Sequence, residues 1–184
     1  HQDATGNRHP DQYSRVKCRE NLRAFTTDPD QAAKLNAGAN FPQHVAFAAK
    51  NAVSTAKRDL ARAQWHSMKT EIKAKLEESR AKLAEEATAA GKMDDVQRAL
   101  ASGNFLPCVD VSESMTWDAE EPNRPIDVAT ACGAVMSQVS NEHWEGLLIS
   151  FTNEPRIFDT KGKDVDAVIA EIYRNKGYNT NFYK

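Results

Sequence analysis

The stretch Phe105-Leu106-Pro107-Cys108-Val109-Asp110-Val111-Ser112-Glu113-Ser114 decides the fold. Its first five residues form an apolar run of strand length, set off upstream by the turn residues Ser102-Gly103-Asn104. Its second half is a D-x-S-x-S loop. In an open α/β sheet, ligands bind beyond the carboxyl ends of the strands, so a carboxylate and two hydroxyls placed there can converge on one ligand. All three offer hard oxygen atoms, the donor type that suits magnesium, calcium or manganese. Downstream, residues 126–139 read as a helix, 144–151 and 156–158 as strands, 165–173 as a helix, and Gly177-Tyr178-Asn179-Thr180 as a loop. The predicted class is therefore α/β.

Upstream, the chain reads differently. Residues 1–14 are polar and form a predicted surface arm, and residues 15–101 a helical region. Val16, Leu22 and Phe25 mark a short helix that Thr26-Thr27-Asp28-Pro29 stops, and Phe41-Pro42 opens another near Gln43. Residues 45–90 contain neither glycine nor proline. Their apolar positions Val53, Ala56, Leu60, Met68, Ile72, Leu76 and Leu83 recur mostly at three- and four-residue steps. This predicts one long helix or two, packed along its own domain, since the heptad lapses too often for a coiled coil. Gly91 ends it, and residues 93–100 make a short helix.

The order of elements from residue 105 onward resembles a von Willebrand factor A domain. More specifically, several phrases are similar to a family of uncharacterised proteins of plants and large DNA viruses, with a helical N-terminal part and a C-terminal von Willebrand A-like domain. They are Phe41-Pro42-Gln43-His44, Gln64-Trp65-His66-Ser67-Met68, Asp110 to Met115 and Asn179-Thr180-Asn181-Phe182. The resemblance implies a Rossmann-type sheet of strand order 3-2-1-4-5-6, of which residues 102–184 supply the first half, truncated after the third strand and its helix. The second strand would lie beside the first and the third outside it. The other edge of the first strand, at Leu106 and Cys108, would be unpaired, with the rest of the domain expected in the native protein.

The same resemblance implies a metal-ion-dependent adhesion site in which Asp110, Ser112, Ser114 and Thr180 bind Mg2+, or Ca2+ or Mn2+. A fifth ligand, an aspartate, would follow the next strand, so the site is expected to be competent only in the intact domain. Such sites leave one coordination position for an acidic residue of a partner protein. Two neighbours would meet that partner: Trp117, which follows the loop, and Glu113, which stands where the family has glycine and adds a carboxylate. The implied function is a non-enzymatic protein-interaction module. The alternative is a structural or assembly component with a degenerate metal site.

Composition bounds these readings. A net charge of -2 over 184 residues gives no general attraction to nucleic acid or anionic lipid. Analogy to RNA-binding proteins that join helical repeats to an A-like domain makes Lys50, Lys57, Arg58, Arg62, Lys69 and Lys73 the weaker, nucleic-acid candidates. No stretch is apolar enough to span a bilayer, and residues 1–20 carry no signal-peptide core. Cys18, Cys108 and Cys132 lack metal or disulfide spacing, so an intracellular, reducing, cytoplasmic setting is the default, with Cys108 and Cys132 read as small core residues. His44, His66 and His143 have no metal spacing and read as structural, as do Trp65 and Trp144. The G-x-S-x-G elbow and the glycine-rich phosphate loops are absent.

Overall fold

The computed structural model describes residues 41–101, 103–117 and 120–177, together with positions 17, 20, 21, 23 and 24. The predicted arm, Cys18, the stop at 26–29 and Thr180 lie outside the described residues. Helix α1 (Pro42–Lys50) starts with Pro42 in its first turn, where a missing N–H costs nothing. The glycine-free stretch then proves to be two helices. After a break at residues 51–54, α2 (Thr55–Ala89) restarts at Ser54, whose hydroxyl accepts a hydrogen bond from Lys57 N at 3.4 Å.

At 35 residues, α2 is about 52 Å long. Its buried residues, Ala61, Trp65 and Met68, all lie in its first half. The lapsing heptad has its explanation there, because the first half lies along the domain while the second packs on the short helix α3 (Met93–Ala101). Between α2 and α3 the chain turns at Gly91, whose φ of 68° lies in the left-handed region that glycine tolerates.

Three strands make the sheet: β1 (Cys108–Asp110), β2 (Leu147–Phe151) and β3 (Arg156–Asp159), in the order β1-β2-β3. β1 and β2 are parallel, with α4 (Pro125–Val139) in the connection, whereas β2 and β3 form an antiparallel hairpin. Helix α5 (Val165–Tyr173) follows. The second strand lies beside the first and the third outside it, as expected. Both leading strands are shorter than their apolar runs. Pro107 precedes β1 without an N–H to donate, and residues 142–146 form a turn closed by Leu147 N on Trp144 O at 3.0 Å.

Side-chain alternation divides the sheet into two unlike faces. Val109, Leu148 and Phe158 point to the helices and join one core with Val45, Ala49, Trp65 and Met68 of the helical region and Ile126, Val139, Val165 and Ile172 of α4 and α5. On the other face Cys108, Ile149 and Ile157 stand in register. There Ile157 is 71% exposed and Leu106 39%. The expectation that Cys108 is a core residue is thus corrected: period-two geometry puts it opposite buried Val109, on the exposed face. Cys132 is half-buried on α4. No helix among the described residues is long and apolar enough to cross a membrane.

Candidate functional site at the carboxyl end of the first strand

β1 carries Asp110 to the end of the sheet, where the chain leaves in an Asx turn: Asp110 Oδ1 accepts from Ser112 N at 2.9 Å. The second carboxylate oxygen has no hydrogen-bond partner among the described residues. Ser112 is buried, and its hydroxyl lies 3.0 Å from that of Ser114. A single 3-10 turn, Glu113–Thr116, holds Ser114 in place, braced by Thr116 Oγ1 donating to Glu113 O at 2.6 Å. Ser112 occupies the N-cap position of that turn yet makes no side-chain cap bond. Its hydroxyl is therefore committed to Ser114 rather than to the backbone. The structure links Asp110 to the Ser112 backbone and Ser112 to Ser114 at the end of β1, and Thr180 lies outside the described residues.

A feature the sequence reading missed ties the loop to the end of the chain. Gly177, four residues after α5, bridges Ser112 in parallel: Glu113 N donates to Gly177 O at 2.9 Å and Gly177 N to Val111 O at 3.4 Å. Only glycine fits there. A Cβ on residue 177 would stand 2.3 Å from Asn153 Oδ1 and 2.9 Å from Thr152 Cβ. Gly177, three residues before Thr180 in sequence, is thereby held against the D-x-S-x-S loop.

Behind the loop, Arg124 makes two bonds to Asp127, at 2.8 and 3.0 Å, and pairs with Glu121. Tyr173 of α5 donates its hydroxyl to Asp127, and Lys50 of α1 lies 4.1 Å from the Tyr173 ring centroid. Burial works against the Asp127 carboxylate, but hydrogen bonds from Arg124 and Tyr173 prevail and hold it below the usual carboxylate range. Burial, then the bond to Asp127, pushes the Tyr173 hydroxyl up. The i, i+3 spacing of Arg124 and Asp127 is visible in the sequence, whereas nothing local points to Tyr173. This network fixes α1, α4 and α5 around the loop.

Glu113 and Trp117 flank the loop on its solvent side. Glu113 is exposed and Trp117 is 63% exposed. The other aromatic and histidine candidates are structural or plain surface residues. Trp65 is buried and donates its indole N–H to Gln138 Oε1 at 2.9 Å, while Trp144 is exposed. His44 Nε2 bonds Asn123 Oδ1 at 3.1 Å, and His66 and His143 are exposed. Partial burial, then Asp110, pushes the Cys108 thiol up, which makes it a poor nucleophile at neutral pH. Among the described residues no group of three or more His, Cys, Asp or Glu side chains is placed to hold a metal ion. Asp110, Ser112 and Ser114 contribute one carboxylate and two hydroxyls.

Two members of the basic set on the helical region are already matched. Lys50 lies over Tyr173, and Arg62 grips Asp166 with Nε and Nη2, both at 2.8 Å, and Asp164 with Nη1 at 2.9 Å. The bond to Arg62 holds the Asp166 carboxyl below its ordinary value. A group depressed on folding contributes stability that is present above its unfolded pKa, about 3.9 for aspartate, and is lost as pH falls through the folded value. Arg62→Met is accordingly expected to cost about 1 kcal/mol at neutral pH, the deficit shrinking below pH about 4. Urea unfolding of both proteins between pH 7 and 3 would measure this; a deficit independent of pH would assign it to lost packing instead.

Residues 104–184 match a family described as a domain of unknown function (DUF7788). The match begins just ahead of β1 and spans the D-x-S-x-S loop, α4, β2, β3 and α5. It fits an uncharacterised family over this part of the chain. No curated protein and no solved structure matches the chain.

Proposed function

We propose that the chain is a non-enzymatic protein-interaction module in which Asp110, Ser112 and Ser114, with Thr180 from the loop after Gly177, hold a magnesium or similar divalent ion that captures an acidic side chain of a partner. The supporting observation is the spacing of the two serine hydroxyls. Octahedral magnesium binds oxygen at about 2.1 Å, which sets neighbouring ligand atoms about 3.0 Å apart. The Ser112 and Ser114 oxygens are 3.0 Å apart without any rearrangement. The donor set is entirely hard oxygen, and Gly177, three residues before Thr180 in sequence, bridges Ser112. When bound, the ion would supply a Lewis-acidic coordination position. The protein's own part is to hold the three oxygens on a rigid strand end, with α1, α4 and α5 locked behind it by the Arg124, Asp127 and Tyr173 network. In this reading the sheet is part of a von Willebrand A-like domain.

Thermal unfolding with magnesium or manganese titrated from micromolar to millimolar tests the reading. A ligand that binds only the folded state raises stability by RT ln(1 + [L]/Kd), about 2.7 kcal/mol at a hundredfold excess over Kd. The expected result is an ion-dependent rise in Tm that Asp110→Ala abolishes. An equal response in the Asp110→Ala protein would place the ion elsewhere.

The exposed apolar face, with Leu106, Cys108 and Ile157, favours a second reading as an assembly component whose sheet is covered by a neighbouring chain. Under that reading the Tm is indifferent to magnesium, and Ile157→Glu reduces self-association or co-purification without lowering Tm. Because Arg62 and Lys50 are already engaged, we propose no nucleic-acid site.

A further inference from the structure

Alternate residues at the exit of α5 are tethered to three different elements. Tyr173 donates its hydroxyl to Asp127 of α4, Asn175 donates its side-chain amide to Ser150 Oγ of β2 at 2.7 Å, and Gly177 bridges Ser112 of the D-x-S-x-S loop. Asn175 N also bonds Ile172 O at 2.9 Å, so its backbone is still held by the last turn of α5 while its side chain reaches the sheet.

The acceptor of the middle tether is itself fixed. Ser150 is buried, and its hydroxyl accepts from Arg156 N at 3.1 Å and from Asn175 Nδ2 and donates to Arg156 O at 3.5 Å. One proton and two lone pairs are all that a hydroxyl offers, so each is in use. In the parallel pair of β1 and β2, Ser150 stands opposite Val109, the residue before Asp110. Asn175 is thus anchored to the strand beside the one that carries the candidate site.

Two residues on, Gly177 O accepts from Glu113 N at 2.9 Å and Gly177 N donates to Val111 O at 3.4 Å, which holds the backbone on both sides of Ser112. The hydroxyls of Ser112 and Ser114 stand 3.0 Å apart on that backbone. Two residues of extended chain reach at most about 7 Å, so there is little slack between the tether at Asn175 and the bridge at Gly177. A shift at one is passed to the other.

We infer that Asn175 is a positioning residue for the ion site: by bonding Ser150 it keeps Gly177 against the loop, and Gly177 keeps Ser112 and Ser114 at ligand spacing. Asn175 itself meets no ion. The inference rests on the function proposed above and adds to it a residue outside the D-x-S-x-S motif.

Two measurements on the full chain test it: manganese binding, read from the free ion by electron paramagnetic resonance, and amide hydrogen exchange without metal. Asn175→Ala is expected to weaken manganese binding about tenfold, the lower end of the range for residues that orient metal ligands. Ser150→Ala should weaken it to a similar degree and the double variant no further, because each removes the same tether. Without metal, Asn175→Ala should speed exchange at the Glu113 amide relative to the Ile149 amide, which bonds Pro107 O within the sheet. Arg62→Met, which releases Asp166 at the opposite end of α5, controls for stability alone and should leave manganese affinity within about twofold of the parent.

An Asn175→Ala protein that loses no more manganese affinity than Arg62→Met overturns the positioning role and leaves the ion reading standing. So does a Glu113 amide that exchanges no faster relative to Ile149. If the parent chain binds no manganese, or Asp110→Ala binds it equally well, the ion reading falls and the positioning role falls with it.

Discussion

Gly133→Val is expected to destabilise the fold by more than about 3 kcal/mol, the upper part of the range for overpacking a filled core. Gly133 sits on the face of α4 that lies against β1. A Cβ added there would stand 2.2 Å from Val109 Cγ2 and 3.2 Å from Leu148 Cδ1. Neither neighbour can easily yield. Val109 is β-branched and stiff about χ1, and both residues are buried in the one core. Alanine gains about 1 kcal/mol in helix propensity over glycine, so Gly133→Ala measures the clash less that gain and should still cost about 2 kcal/mol. The diagnostic partner is Val109→Ala. If the glycine is present for close approach of helix and strand, the Gly133→Ala, Val109→Ala double variant should lose at least about 1 kcal/mol less than the two single variants summed. Strict additivity in urea unfolding would mean that α4 shifts bodily to admit the methyl group. Since Val109 immediately precedes Asp110, any variant that moves β1 should also weaken the magnesium response.

That close approach illustrates what the sequence could and could not disclose. The D-x-S-x-S loop was legible because its residue types, order and placement after an apolar run are all local. The helices α4 and α5 were legible within one residue at either end, because the apolar runs that form them are local too. Gly133 and Gly177 were not, as their reasons are distances to Val109 and to Thr152 and Asn153 in other elements. Cys108 was misplaced for a related reason: a three-residue strand is too short for alternation to say which face meets helices. The break between α1 and α2 at residues 51–54 contains no glycine or proline to mark it in the sequence. Tyr173 joins the site network solely because α5 folds back beside α4.

Trp65→Ala is expected to cost about 3–5 kcal/mol, the usual range for truncating a buried aromatic side chain, and to do so for the whole chain in one transition. Trp65 lies on the buried first half of α2, at 3% exposure, among core residues from α1, α4 and the sheet. Its indole N–H reaches Gln138 of α4, whose amide in turn donates to the Thr160 and Lys163 carbonyls at 3.2 Å. One side chain thus joins the long helix to the connection that leads into α5. Trp65→Phe separates the two contributions. It retains most of the apolar contact but leaves Gln138 Oε1 buried without its donor, an expected loss of about 1–3 kcal/mol. If the helical region were an independent unit resting on the sheet, Trp65→Ala would melt α2 alone and split the unfolding curve, with the far-ultraviolet circular dichroism of the helices lost first. A single transition at lower denaturant, followed equally by circular dichroism and by the fluorescence of the remaining Trp117 and Trp144, would mean that the first half of α2 belongs to the same cooperative core as the strand that carries Asp110. The geometry of the candidate site would then depend on a residue 45 positions upstream in sequence, from Trp65 to Asp110.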